Sequence, residues 1–135
     1  MTPRFVNHRP LSAPEIGFNA TVVTGVSQNS AVIDVTGFNS LKLMLSLTRV
    51  AATDVRFFVQ VSEDATTWHL IQSEATAAGV VTLDDRRYTK AVAANTQWVV
   101  EIDNLNFKYL RLFNLSATAG TTDTLTITGR LGYHI

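Results

Sequence analysis

From Phe18 onward, apolar and polar residues alternate with a period of two. Leu41, Leu43, Leu45 and Leu47 share one side of their segment, and Lys42, Ser46 and Thr48 share the other. Val55, Phe57, Val59 and Val61 are opposed by Arg56, Gln60 and Ser62. Trp98, Val100 and Ile102 alternate with Gln97 and Glu101. Leu125, Ile127, Leu131 and Tyr133 alternate with Thr124, Thr126, Thr128 and Arg130. Successive side chains of a strand point to opposite faces, so this pattern predicts half-buried antiparallel strands. Abundant threonine and valine suit a pleated surface. Turn-forming residues separate the runs: Gly25 with Ser27 and Asn29, Gly37 with Asn39, and residues 51–54, 77–79, 103–106 and 120–123. The spacing predicts strands near 19–26, 30–36, 40–50, 54–62, 67–73, 79–83, 87–92, 96–103, 107–116 and 122–133. Short strands at such intervals make a sandwich or barrel. No helix is predicted, because the alanine-rich pieces around Ala51, Ala75 and Ala91 are too short.

Residues 1–17 differ from the rest. Pro3, Pro10 and Pro14 punctuate them, with Arg4, His8 and Arg9 between. Proline fixes φ and removes a backbone donor, so an extended N-terminal arm is expected over 1–17, ahead of a β-sandwich domain over 18–135. Such an arm either frays or docks on a neighbouring subunit, burying Phe5, Val6, Leu11 and Ile16. Some strands are apolar on both faces: Met44 and Phe58 lie opposite core-facing neighbours, and Leu110 and Leu112 alternate with Tyr109 and Phe113. A second apolar face needs cover from a loop, the arm or a partner.

Bulk composition narrows the function. A chain of 135 residues fits one domain, large enough to fold without staples. It has no cysteine, so disulfides, thiolate metal sites and cysteine nucleophiles are out, and a reducing cytoplasm suits it. Eleven basic residues balance eleven acidic ones, which removes the broad positive field that nucleic-acid binding uses. No run reaches the ~20 apolar residues of a membrane helix, and the first residues lack the apolar core of a signal peptide.

Motifs for chemistry are sparse. The stretch VSEDATTW, residues 61–68, sets Glu63 and Asp64 between two strand-like runs. Adjacent acids on a strand face opposite ways, whereas paired-carboxylate catalysis needs convergence at roughly 5–9.5 Å. A calcium loop needs about 6–8 oxygen ligands at a spacing this stretch lacks. A hairpin turn is therefore expected, with Trp68 packed across the strand pair or at its rim. The tetrad Asp84, Asp85, Arg86 and Arg87 reads as a solvated turn or a polar rim that orients a partner. His8, His69 and His134 lack a short ligand spacing. No G-x-S-x-G elbow, phosphate-binding glycine loop or dinucleotide turn is present. Trp68, Trp98, Tyr109 and Tyr133 form either a sugar-stacking platform or parts of a core or subunit interface. No enzyme, metal or cofactor is expected.

Three motifs in order carry a resemblance: VTGFNSLKLMLSL, then VQVSEDATTW, then a Y-L-R-L strand at Tyr109, Leu110, Arg111 and Leu112 followed by a threonine-rich strand. A strand followed by S-x-D-x-x-x-W, here Ser62, Asp64 and Trp68, is similar to a hairpin of jelly-roll binding modules. In discoidin-like modules glycine often follows the aspartate, where this chain has Ala65. The ordered set resembles the small jelly-roll structural proteins of tailed bacteriophages, including capsid cement and decoration proteins. That resemblance implies an all-β antiparallel jelly-roll-like sandwich of about eight to ten strands. It implies a virion protein, made in the bacterial host cytoplasm, that binds the major capsid protein on the capsid surface across subunit seams. It further implies a dimer or trimer with neither nucleic-acid nor membrane partners. Arg4, Phe5, Arg9 and Leu11 of the arm are the expected capsid or subunit contacts. A carbohydrate- or receptor-binding module on the same sandwich is the alternative.

Overall fold

In a computed structural model, which describes residues 6–120 and 122–134, the alternating segments pair into two five-stranded antiparallel sheets packed as a jelly-roll-like sandwich. The first sheet runs β1 (Val6–Leu11), β12 (Asp123–His134), β4 (Ser40–Thr48) and β10 (Thr96–Ile102), with β2 (Thr21–Val23) also beside β12. The second runs β3 (Ile33–Asp34), β11 (Tyr109–Thr118), β5 (Asp54–Ser62) and β6 (His69–Leu70), with β9 (Arg87–Ala91) also on β5. Among the described residues, β7 (Gln72–Ala77) and β8 (Val80–Asp85) pair only with each other.

Register turns the sequence pattern into a core. Leu41, Leu43, Leu45 and Leu47 stand opposite Leu131, Gly129, Ile127 and Leu125 on β12, and all face inward. Val59 and Val61 stand opposite Leu112 and Leu110. A register shift between Phe113 and Ser116 inserts an extra residue in β11, which keeps both Leu115 and Ala117 inward. Phe57 fills the space between the sheets and stacks on Tyr88, with ring centroids 5.2 Å apart.

The N-terminal segment is part of the first sheet. Residues 6–11 pair along the whole of residues 129–134, so from Val6 onward the expected free arm is a strand. Pro10 is tolerated there because β1 is an edge strand. Ser12–x–x–Glu15 then forms a capping box for α1 (Ala13–Ile16), the one helix among the described residues. The Ser12 backbone N–H beside it holds the Glu15 carboxyl below its ordinary range. Gly129 has no side chain at the place where Leu11 and Ile16 pack, and a Cβ there would lie 3.4 Å from both. Leu11 and Ile16 are thus buried in their own chain.

Candidate functional site

Among the described residues, the features named by the sequence are scattered. The Ser62–Asp64 stretch is a turn. Asp64 Oδ1 accepts from the backbone N–H groups of Thr66 at 2.9 Å and Thr67 at 2.8 Å, and from Ser62 Oγ at 3.0 Å. These donors, led by the Thr67 and Thr66 amides, pull the Asp64 carboxyl down to about 2. Its Oδ1 is engaged in holding the turn. Ala65 takes φ +61°, a left-handed conformation that glycine adopts more readily. A depressed folded-state value means the turn's contribution is complete above the usual 3.8 and is lost as pH falls through about 2. An NMR titration of the Asp64 carboxyl carbon is expected to show a midpoint near 2; one near 4 would mean the amides do not engage it.

Trp68 lies at the rim, half-buried. The Arg111 guanidinium sits over its ring at 4.3 Å and reaches Phe113 at 5.7 Å. Arg111 Nε also donates to Gln60 Oε1 at 2.7 Å. One face of the indole is therefore occupied by a cation. Tyr109 shares that outer face of the second sheet, whereas Trp98 and Tyr133 belong to the first sheet. The four aromatics do not form one platform. No group of three or more His, Asp or Glu side chains gathers to hold a metal among the described residues. Among the described residues, no helix is long and apolar enough to cross a membrane.

Of the expected contacts in the N-terminal segment, Arg4 and Phe5 lie outside the described residues. Arg9 is exposed on β1 and pairs with Glu15 at 3.4 Å. Leu11 corrects the expectation: only 3% exposed, it is an internal packing residue that anchors β1, because its side chain fills the space over Gly129.

An exposed apolar surface lies elsewhere. Val80, Val81 and Leu83 of β8 are 62%, 56% and 57% exposed. They sit on the β7–β8 hairpin, whose six residue pairs run from Gln72–Asp85 to Ala77–Val80. Ala78 and Gly79 both take positive φ at its tip, +51° and +77°, as a two-residue type I′ turn requires. Its base is tied to the sandwich at Ile71, whose N–H donates to the Val59 carbonyl of β5 at 3.0 Å, and is closed by the Arg86 N–H donating to the Ile71 carbonyl at 3.0 Å. Arg86 Nε donates to Ser73 Oγ at 3.2 Å, and Gln72 Nε2 to Asp85 Oδ1 at 2.6 Å. The Asp84–Arg87 tetrad is thus the polar hinge where the chain leaves the hairpin and enters β9. The sequence predicts a strand over 79–83 and assigns it no role.

No protein-family profile and no curated protein matches the chain. Among solved structures it is similar to the SPBc2 prophage-derived protein YomS, with 11% identity, coverage of 98% of this chain and 96% of that one, and a TM-score of 0.45. It is similar to a chain of the Bacillus endospore appendages, described as disulfide-linked pili (11%, 98% and 88%, 0.37). It is also similar to CBM32-1 of a family 31 glycoside hydrolase from Clostridium perfringens (11%, 93% and 93%, 0.40). At this distance the likenesses assign no activity to the chain.

Proposed function

We propose that this β-sandwich is a structural virion protein of a tailed phage that binds the outside of the assembled capsid and stabilises it across subunit seams. The observation that carries the reading is the β7–β8 hairpin, a projection with a polar hinge and three exposed aliphatic side chains. An isolated hairpin is only marginally stable in water, and exposed aliphatics on it are a liability unless a partner covers them. A recess between capsid subunits is such a cover. The balanced charge and the ordered strand motifs support the same reading. Arg4, Phe5 and Arg9 are proposed as a second contact.

The mechanism is linkage. A rigid sandwich that binds only the assembled shell stabilises it by RT ln(1 + [L]/Kd) per site, and symmetric repetition multiplies a modest term. Little internal freedom is lost on docking, because the hairpin is closed at its base and tied to β5 through Ile71. Quantitative mass spectrometry of purified virions is expected to find on the order of hundreds of copies per particle, the scale set by capsid symmetry. A handful of copies would assign the chain to a tail or fibre and overturn the capsid reading.

The alternative, a carbohydrate-binding module, draws on a groove of about 260 Å³ lined by Tyr88, Lys90 and Trp98 between β9 and β10. Saturable retention on a glycan array, lost in Trp98→Ala but not in Trp68→Ala, would favour it.

A further inference from the structure

The geometry points to β10 as a homodimer edge: two copies pair β10 antiparallel about a two-fold axis at Val99, joining their first sheets into one. This inference does not rest on the virion reading; it comes from a comparison of the edges of the two five-stranded sheets. β3 and β6 are two residues long and β2 is three. β1 carries Arg9 and Pro10, and β9 carries Arg87 and Lys90. Such brevity, proline and basic residues are the ordinary protections of an exposed edge. β10, Thr-Gln-Trp-Val-Val-Glu-Ile, has none of them: seven residues with no proline, glycine, lysine or arginine. It pairs with β4 through seven unbroken positions, so its other side is equally regular, and among the described residues no strand lies there.

The occupant that fits this edge is a second copy, because the strand is complementary to itself. Antiparallel pairing centred on Val99 sets Val99 against Val99, Gln97 against Glu101, Trp98 against Val100, and Thr96 against Ile102. Glu101 meets an amide rather than another carboxylate, and Lys42, 3.6 Å from Glu101, balances its charge on each side. On the outer face, Val99 (56% exposed) adjoins Met44 (42% exposed) in register, so the axis joins two small apolar patches into one covered strip. On the inner face, half-buried Trp98 and Val100 gain cover at the open side of the sandwich. The junction adds about six to eight backbone hydrogen bonds.

Sedimentation velocity of the full chain at micromolar concentration is expected to give twice the 14.8 kDa chain mass. Val99→Lys places like charges directly opposite each other at the axis and is expected to weaken the dimer at least about a hundredfold with an unchanged circular dichroism spectrum. A monomeric wild-type chain, or a Val99→Lys variant that stays dimeric, overturns the proposal. A second variant covers a lysine chain that fails to fold. The chain has no cysteine, and Val99→Cys puts two thiols at the axis with Cα atoms about 4.5–5.5 Å apart, within disulfide reach. Mild oxidation is expected to give a covalent dimer, while Val80→Cys on the hairpin stays monomeric. Equal cross-linking from both sites, or none from Val99→Cys, overturns the proposal. A monomer that still decorates capsids would leave the virion reading intact.

Discussion

Asp123→Ala is expected to lower the unfolding free energy by about 3–5 kcal/mol, among the largest effects of any single polar substitution in this chain. Asp123 is fully buried, and one of its oxygens, Oδ1, accepts from three consecutive backbone N–H groups: Val50 at 2.5 Å, Ala51 at 2.9 Å and Ala52 at 3.0 Å. Those amides belong to the loop between β4 and β5, where the chain crosses from one sheet to the other. Alanine leaves three partly or fully buried donors without this acceptor, each with a desolvation penalty of about 1–3 kcal/mol. Asp123→Asn keeps an oxygen in place and is expected to cost only about 1–2 kcal/mol, the charge-assisted share of the bonds. Urea unfolding of the three proteins, at equal m-values, reads both numbers. A loss below about 1 kcal/mol for alanine would show that the crossover loop holds without the carboxylate.

That residue also marks the limit of local reading. The two turns, 51–54 and 120–123, are legible from their residue types, but nothing local tells that an aspartate in one caps amides more than 70 positions away in the other. The alternating strands were the readable part. β5 falls on Asp54–Ser62 as expected, and β4, β10 and β12 lie within one or two residues of expectation. Each has one face in the core and one in water, which writes period two into the chain.

The misses have physical causes. β1 was read as part of an arm because proline discourages a strand, yet an edge strand admits it. The helix after it is one turn long, below the reach of hydrophobic periodicity, although Ser12 and Glu15 already spelled its capping box. The 67–73 run breaks into β6 and the start of β7 because the chain leaves the sandwich at Ile71. Of the two readings of residues 1–17, fraying or docking on a neighbour, neither places Leu11 and Ile16 where they are, buried against their own sheet. The candidate contact surface on β8 stayed invisible for the opposite reason. Val80, Val81 and Leu83 have the composition of a core strand and differ from one only by position.

The same three side chains carry the largest expected effect on binding. None is buried in the sandwich, so each replacement by serine is expected to change monomer stability by no more than about 0.5 kcal/mol. Docked, each would lose roughly 1 kcal/mol or more of apolar burial, and about 3 kcal/mol in total is about a hundredfold in Kd. The direct measurement is occupancy of purified capsids by the wild-type chain and by the Val80→Ser/Val81→Ser/Leu83→Ser variant, read by co-sedimentation at matched concentration. A folded variant that falls off the particles while the wild-type chain saturates them is the predicted result. Equal occupancy by both chains would contradict the claim that the projecting hairpin is the working surface.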